Sequence, residues 1–323
     1  IDLNGKTLTK TGTNIVAFVD GTMPSDGTIN INQGILAFTR MVTSGAGSVN
    51  VNSGGTLRFE NHTTGSFSKS IALNDGTIHL TGSNMTVDGP ITLAGTGNFS
   101  VAFTRAFTAA QPVGGTGNLS FTSSGTGAVG VLVLQNDNTY TGTTAVDTGT
   151  LRIGNRTTTG SINAQPVTLA NNGNVQISRS DTYTFPNVIQ GTGGVLIGAN
   201  AAVTAPEYDS LVTLTGNSTF TGGVTVYSGG LKIQNAAAIG TGNKTITLNA
   251  GTAGRPQFYL DGAAGNITLP VGVNFLTSSS NLSHPAIGNV AGDNVINGNF
   301  TISSGGGSTA LSGSGGRPPL NGA

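Results

Sequence analysis

The stretch VNVNSGGTLRF, residues 49 to 59, decides how this chain folds. Val49 and Val51 alternate with asparagines, a Ser-Gly-Gly turn follows, and Leu57 and Phe59 then alternate about Arg58. Alternation at period two on both sides of the glycines reads as strand, turn, strand, each strand half buried against a core. The second half returns as GILAF from Gly34, GTLRF from Gly55, GTIHL from Gly76, GNFSV from Gly97 and GNLSF from Gly117, at spacings of 21, 21, 21 and 20. It returns again, less evenly, at Gly149, Gly173, Gly193, Gly229 and Gly298. The first half recurs as IALNDG (Ile71 to Gly76), VTLANNG (Val167 to Gly173) and ITLNAG (Ile246 to Gly251). Asn, Asp and Gly hold the turns because they tolerate positive φ.

A unit of this length cannot bury its own apolar face, so the units must stack on one another. Constant length with apolar positions in register predicts an all-β fold, a parallel β-helix with rungs of about 21 residues. Leu36, Leu57, Ile78, Phe99 and Leu119 are expected to form one interior column. With strands about 4.8 Å apart, roughly 13 to 15 rungs would make a rod about 65 Å long. One domain is expected over residues 1–302, and the Gly/Ser/Pro-rich segment 303–323 reads as a linker or a partial further unit. NAAAIG, Asn235 to Gly240, is the one helical candidate, a single turn at most, and reads as a loop.

Composition narrows the setting. Lys+Arg and Asp+Glu number 13 each, 8% charged in all, against about 25% in ordinary domains. Thr, Ser, Asn and Gly must therefore cover the surface. A net charge of zero gives no basic patch for nucleic acid or an anionic membrane. No apolar run reaches the roughly 18 to 20 residues of a membrane helix. Cysteine is absent, which removes disulfides and thiolate chemistry and leaves the compartment open. The chain starts at Ile1 without a basic-plus-apolar leader, as a processed product or an excerpt would.

Chemical signals are sparse. A glycosidase would need two carboxylates facing each other across a cleft, but Glu60 and Glu207 are far apart in rung count. Asp26, Asp75 and Asp88 stand directly before a glycine and Asp147 two residues before one, which is turn chemistry. His62, His79 and His284 lack metal-ligand spacing, and NGKT, Asn4 to Thr7, lacks the strand-to-helix context of a phosphate loop. No catalytic residue, cofactor or metal is expected. The outward position of the rung is the best place for a binding stripe: Ala37, Arg58, His79, Ser100, Ser120, Arg152, Gln176 and Lys232. Of these, Arg58, His79, Arg152 and Lys232 are the candidate binding residues.

One longer phrase is written twice. NTYTGTTAVDTGTLRIGN, residues 138 to 155, and STFTGGVTVYSGGLKIQN, residues 218 to 235, agree at eight of eighteen positions. Both resemble the autotransporter-associated β-strand repeat. The signature falls on Asn138, Thr139, Tyr140, Thr141, Gly142, Val146, Gly149, Thr150 and Leu151, and again on Phe220, Thr221, Gly222, Gly223, Val224, Val226, Gly229 and Leu231. Tyr140, Gly142, Gly149, Leu151, Phe220, Gly222, Gly229 and Leu231 are expected to be structural, the two aromatics inside the coil. The resemblance implies a secreted or surface-displayed bacterial passenger with a right-handed parallel β-helix, exported through a C-terminal outer-membrane barrel. No outward-apolar, ten-residue strands of such a barrel close this sequence. A cleaved passenger, an excerpt and export by another route all fit.

The expectation is a non-enzymatic extracellular or cell-surface protein, a passenger or fibre subunit acting as a stiff adhesive or structural rod. Its partners would be further copies of itself, end to end or laterally, or cell-surface and matrix glycans, with no nucleic acid and no membrane span. The alternative is a carbohydrate-active β-helix, either a lyase or hydrolase or a sugar-binding module.

Overall fold

The computed structural model describes residues 2–23, 26–40, 42–43, 46–61, 67–125, 129–199, 210–249, 255–278, 285–303 and 310–313. His62, His284, Glu207, Gly251 and most of the 303–323 segment lie outside them. The regular structure among the described residues is almost wholly β, and the paired strands run parallel, each to its counterpart one turn on. NAAAIG forms one turn of 3₁₀ helix, Ala236–Ile239. The chain groups into two compact units, residues 1–155 with 159–165, and residues 156–158 with 166–323.

In the first unit a six-stranded sheet climbs through Thr7–Lys10, Thr28–Ile31, Ser48–Asn52, Ser70–Asn74, Ile91–Leu93 and Val113–Gly115. The turn after each strand leads to a second sheet, where Gly34–Thr39, Gly55–Glu60, Thr77–Leu80, Gly97–Ala102 and Leu119–Ser124 stack in sequence. Met85–Val87, Ala106–Ala109 and Val131–Leu134 make a third face. The second unit has its own six-stranded ladder, Thr182–Phe185, Leu211–Leu214, Gly230–Ile233, Gln257–Asp261, Ile287–Ala291 and Leu311–Gly313. Six turns per unit make about 12, fewer than the 13 to 15 expected. The reason is loop length: partners in the second ladder lie as far apart as Thr182 and Leu211, or Phe258 and Ile287.

The alternation predicted for VNVNSGGTLRF holds. Val49, Val51, Leu57 and Phe59 are fully buried, and Asn50 and Arg58 are half exposed. Asp75 and Asn171 take φ of 58° and 42° in their turns. The interior column runs Leu36, Leu57, Ile78, Phe99, but its next member is Phe121, not Leu119. Ile91 already pairs with Val113, 22 residues on, and the following strand inherits that offset; the GTGN written at a 20-residue spacing misleads.

Two kinds of ladder hold the turns together. Inside, Phe18, Phe38 and Phe59 follow one another at 5.7 and 6.4 Å, and Phe67 packs edge-on against Phe59 at 5.1 Å. Each fully buried Phe or Leu contributes about 1.5–3 kcal/mol. Outside, Asn50 donates to Asn30 and Asn52 to Asn32, both at 2.8 Å. Stacked amides satisfy one another without charge, which is how a surface with 8% charged residues stays polar.

Candidate functional site

The doubled phrase builds the same object in each unit. The strand before it, Val131–Leu134 or Leu211–Leu214, pairs with the strand at its end, so that Leu132 lies beside Leu151 and Val212 beside Leu231. Each copy thus completes one closed turn of 19 residues, from Leu132 to Leu151 and from Val212 to Leu231. Where the turn crosses the preceding rung, Thr139 and Tyr140 donate their N–H groups to Val113 O and Thr141 to Gly115 O. Thr219 and Phe220 donate to Ile189 O, and Thr221 to Gly191 O. The first residue of the phrase latches the crossing: Asn138 Oδ1 accepts from Val113 N at 2.9 Å, and Ser218 Oγ from Ile189 N at 3.0 Å.

The signature residues follow from this geometry. A methyl at Gly142 would overlap the carbonyl of Gly117, and one at Gly222 that of Gly193. Gly149 and Gly229 turn the corner at φ of 86° and 69°, a region L side chains avoid. Tyr140 and Phe220 are fully buried. A buried phenol needs a partner, and Tyr140 O–H bonds Thr144 Oγ1 at 2.7 Å; burial, partly opposed by that bond, pushes its pKa up to about 12. Phe220 needs none, and Val224 stands where Thr144 stood.

The rung above caps each aromatic's carbonyl. Asn163 Nδ2 donates to Tyr140 O at 2.6 Å. Lys244 does the same in the second unit, with Nζ 2.9 Å from Phe220 O, 2.7 Å from Ile239 O and 4.1 Å from the centre of the Phe220 ring. Its burial brings the pKa down to about 8.

Sequence reading passed over such inward cations. Lys10 is buried with Nζ on Thr11 O, Gly12 O and Gln33 O. Lys69 is 2% exposed, and its pKa is lowered by burial against the upward pull of Asp26. A signal existed. Lys69, Ile71 and Leu73 share one parity, as do Lys244, Ile246 and Leu248, and all six are buried. Asn294 was missed as well: its Oδ1 accepts from Ile267 N at 2.7 Å, the latch of Asn138 repeated outside the doubled phrase.

The expected outward stripe is divided by the fold. Arg58 and His79 do pair on successive rungs. Arg58 Nη2 meets Glu60 Oε1 at 2.6 Å, and Thr39 Oγ1 donates to Glu60 Oε2 at 2.8 Å. Burial and the nearby Arg58 charge lower the His79 pKa, with Glu60 pulling it up, which favours the neutral imidazole. Ala37, although in register with Arg58, is fully buried, and Gln176 is 3% exposed. Ser100 pairs with Thr122, and Ser120 belongs beside Asn98. Arg152 lies on the third face beside Val133. Lys232 is in the second unit, 3.2 Å from Asp261.

The carboxylates reach from one rung to the next. Asp26 accepts from Ala46 N at 2.9 Å and Asp75 from Thr96 N at 2.8 Å, in the turns where they were expected. Asp147 instead lies exposed within the strand Thr144–Thr157. Asp20 holds Arg40 through two bonds of 2.5 and 2.7 Å. Among the described residues no three His, Cys, Asp or Glu side chains are grouped to hold a metal ion, and no helix is long and apolar enough to cross a membrane.

Stacked parallel turns, recurrent latches and cross-rung carboxylates define the class: a parallel β-solenoid. The chain matches the passenger-associated-transport-repeat at residues 126–153 and 212–233 and carries two copies of it. These matches begin before the doubled phrase and take in the strand that closes each 19-residue turn. Over 274 residues, 78% of this chain, it is 30% identical to a protein named adhesin BmaC autotransporter from Brucella suis biovar 1 (strain 1330). The aligned stretch is only 8% of that relative's length. No solved structure matches the chain.

Proposed function

We propose that the chain is a non-catalytic, load-bearing and adhesive segment of a surface-displayed bacterial passenger. The observation that carries this reading is the parallel ladder within each unit, with Asp20, Asp26, Asp75 and Glu60 taken up by cross-rung bonds of that ladder. Main-chain bonding from rung to rung, interior apolar columns and uncharged Asn/Thr ladders give a stiff segment that presents side chains to the outside. The likeness to a protein named an adhesin supports an adhesive role. The partners this reading calls for are cell-surface or matrix glycans and neighbouring copies of the chain, and the setting is the cell surface or the secreted fraction. A polysaccharide lyase or hydrolase is not favoured, since Asp20, Asp26, Asp75, Asp181 and Glu60 each hold a neighbouring rung or an arginine.

The test is display. The chain, fused upstream of an outer-membrane barrel in a non-adherent bacterial host, should become accessible to external protease and raise binding of the cells to epithelial monolayers. Export without any gain in adherence would remove the adhesive role, and degradation before export would remove the passenger reading.

A further inference from the structure

The second unit carries a cleft of about 460 Å³ between the 3₁₀ turn and the loop that follows Asp261. Its polar lining is Thr215, Gln234, Asn235, Asn266 and Thr268. All five are uncharged. Asn235 Nδ2 donates to Thr215 O at 3.2 Å, while its Oδ1 is buried with no hydrogen-bond partner. A buried acceptor left without a donor is costly, so the Asn235 amide, which forms part of the cleft wall, gains by turning its oxygen toward a ligand hydrogen. At the rim, Gln234 Nε2 and Lys232 Nζ both reach Asp261 Oδ2 at 3.2 Å, and the one full charge beside the cleft is cancelled by the other.

Beyond Lys232 on the same outward face lies Tyr259, its register neighbour. The half-buried ring lies across two glycines: a methyl at Gly288 would come within 2.6 Å of it, and one at Gly230 within 3.1 Å. Side chains larger than hydrogen at either place would lift or cover the ring. Tyr259 and Asp261 are two residues apart, about 7 Å along a strand. Asp261, bonded to the Gln234 amide that lines the cleft, therefore stands between the cleft and the Tyr259 surface on the same outward face.

From this arrangement we infer that the cleft binds a neutral saccharide, one ring among Thr215, Gln234, Asn235, Asn266 and Thr268 and the next against Tyr259. Neutral sugars present many hydroxyl donors and no charge, matching an uncharged lining of amides and hydroxyls, and their C–H faces pack on aromatic rings. The volume lies within the roughly 300–1,000 Å³ of small-molecule sites. The inference deepens the adhesive reading by naming the ligand class and the place, and it rests on surface display only for its biological use.

The test is a printed array of neutral hexose and N-acetylhexosamine oligosaccharides, with sialylated and sulfated counterparts, probed with the purified 323-residue chain. Neutral glycans should bind, charged ones no better. For the best neutral glycan, Asn235→Ala and Tyr259→Ala should each raise Kd about tenfold, the loss of one good contact. Gln234→Ala, on an exposed side chain, should weaken binding with an unchanged urea midpoint and guards against misfolding of the other two. Arg58→Ala, in the first unit, should change nothing. No binding of any neutral glycan at 10 mM, or equal binding by all the variants, overturns the inference. If displayed cells adhere equally with wild type and Gln234→Ala, and no neutral glycan binds, the cleft falls while the adhesive reading stands. Glycan binding without cell adherence gives the reverse.

Discussion

Raising the pH from 7.5 to 9.5 should stabilise the second unit, and Lys244 is the reason. Its ammonium is buried over the Phe220 ring, on two carbonyl oxygens. Burial lowers its pKa from 10.5 to about 8. Because the folded pKa lies below the unfolded one, the unfolded chain binds more protons between them, and stability rises with pH across that window. The full span, at 1.36 kcal/mol per unit, is at most about 3 kcal/mol, of which about 2 kcal/mol falls between pH 7.5 and 9.5. The neutral amine still has two N–H donors for the carbonyls of Phe220 and Ile239, so the fold keeps its bonds as the charge leaves. The assay is urea denaturation followed by far-UV circular dichroism, for wild type and Lys244→Met at both pH values. Other groups titrate alike in the two proteins, so the wild-type gain minus the variant's gain isolates Lys244. A difference within error of zero, or one that shrinks on going alkaline, would refute the argument that desolvation dominates this site.

Two further outcomes test the repeat. Gly222→Ala should cost about 1–3 kcal/mol through overlap with the Gly193 carbonyl, whereas Gly223→Ala, whose methyl would find Thr245 O at 3.4 Å, should leave the urea midpoint nearly unmoved; equal effects would contradict the close crossing. Asn138→Ala strands the Val113 N–H and should cost about 1–3 kcal/mol, with faster hydrogen exchange at Val113. Asn138→Ser should restore most of that, because Ser218 does the same work in the second copy.

The fold was legible where the chain repeats itself closely. Leu36, Leu57, Ile78 and Phe99 stand on one another as their spacing says, because parallel strands pair residue by residue and a constant rung length carries the register forward. Legibility failed at Phe121, where a motif spaced by 20 sits on rungs spaced by 22. It failed also for the outward stripe, since alternation tells which way a side chain points on its own strand but not which strand lies beside it. Arg152 and Lys232 looked like continuations of Arg58 and His79, yet Arg152 stands on the third face and Lys232 in the ladder of the second unit. The inward lysines were readable by parity and were overlooked because lysine is so seldom buried.

From the amino-acid order alone came the strand-turn-strand unit, the parallel stack it demands, and the inward place of Tyr140 and Phe220, all consequences of local alternation and near-constant length. Only the tertiary structure decided that each doubled phrase completes a closed 19-residue turn, that Asn163 and Lys244 cap the same carbonyl position, and that Asn235 and Asn266 line a common cleft. Those pairings join residues some 20 to 30 positions apart, and loop lengths that no periodicity encodes determine which of them meet.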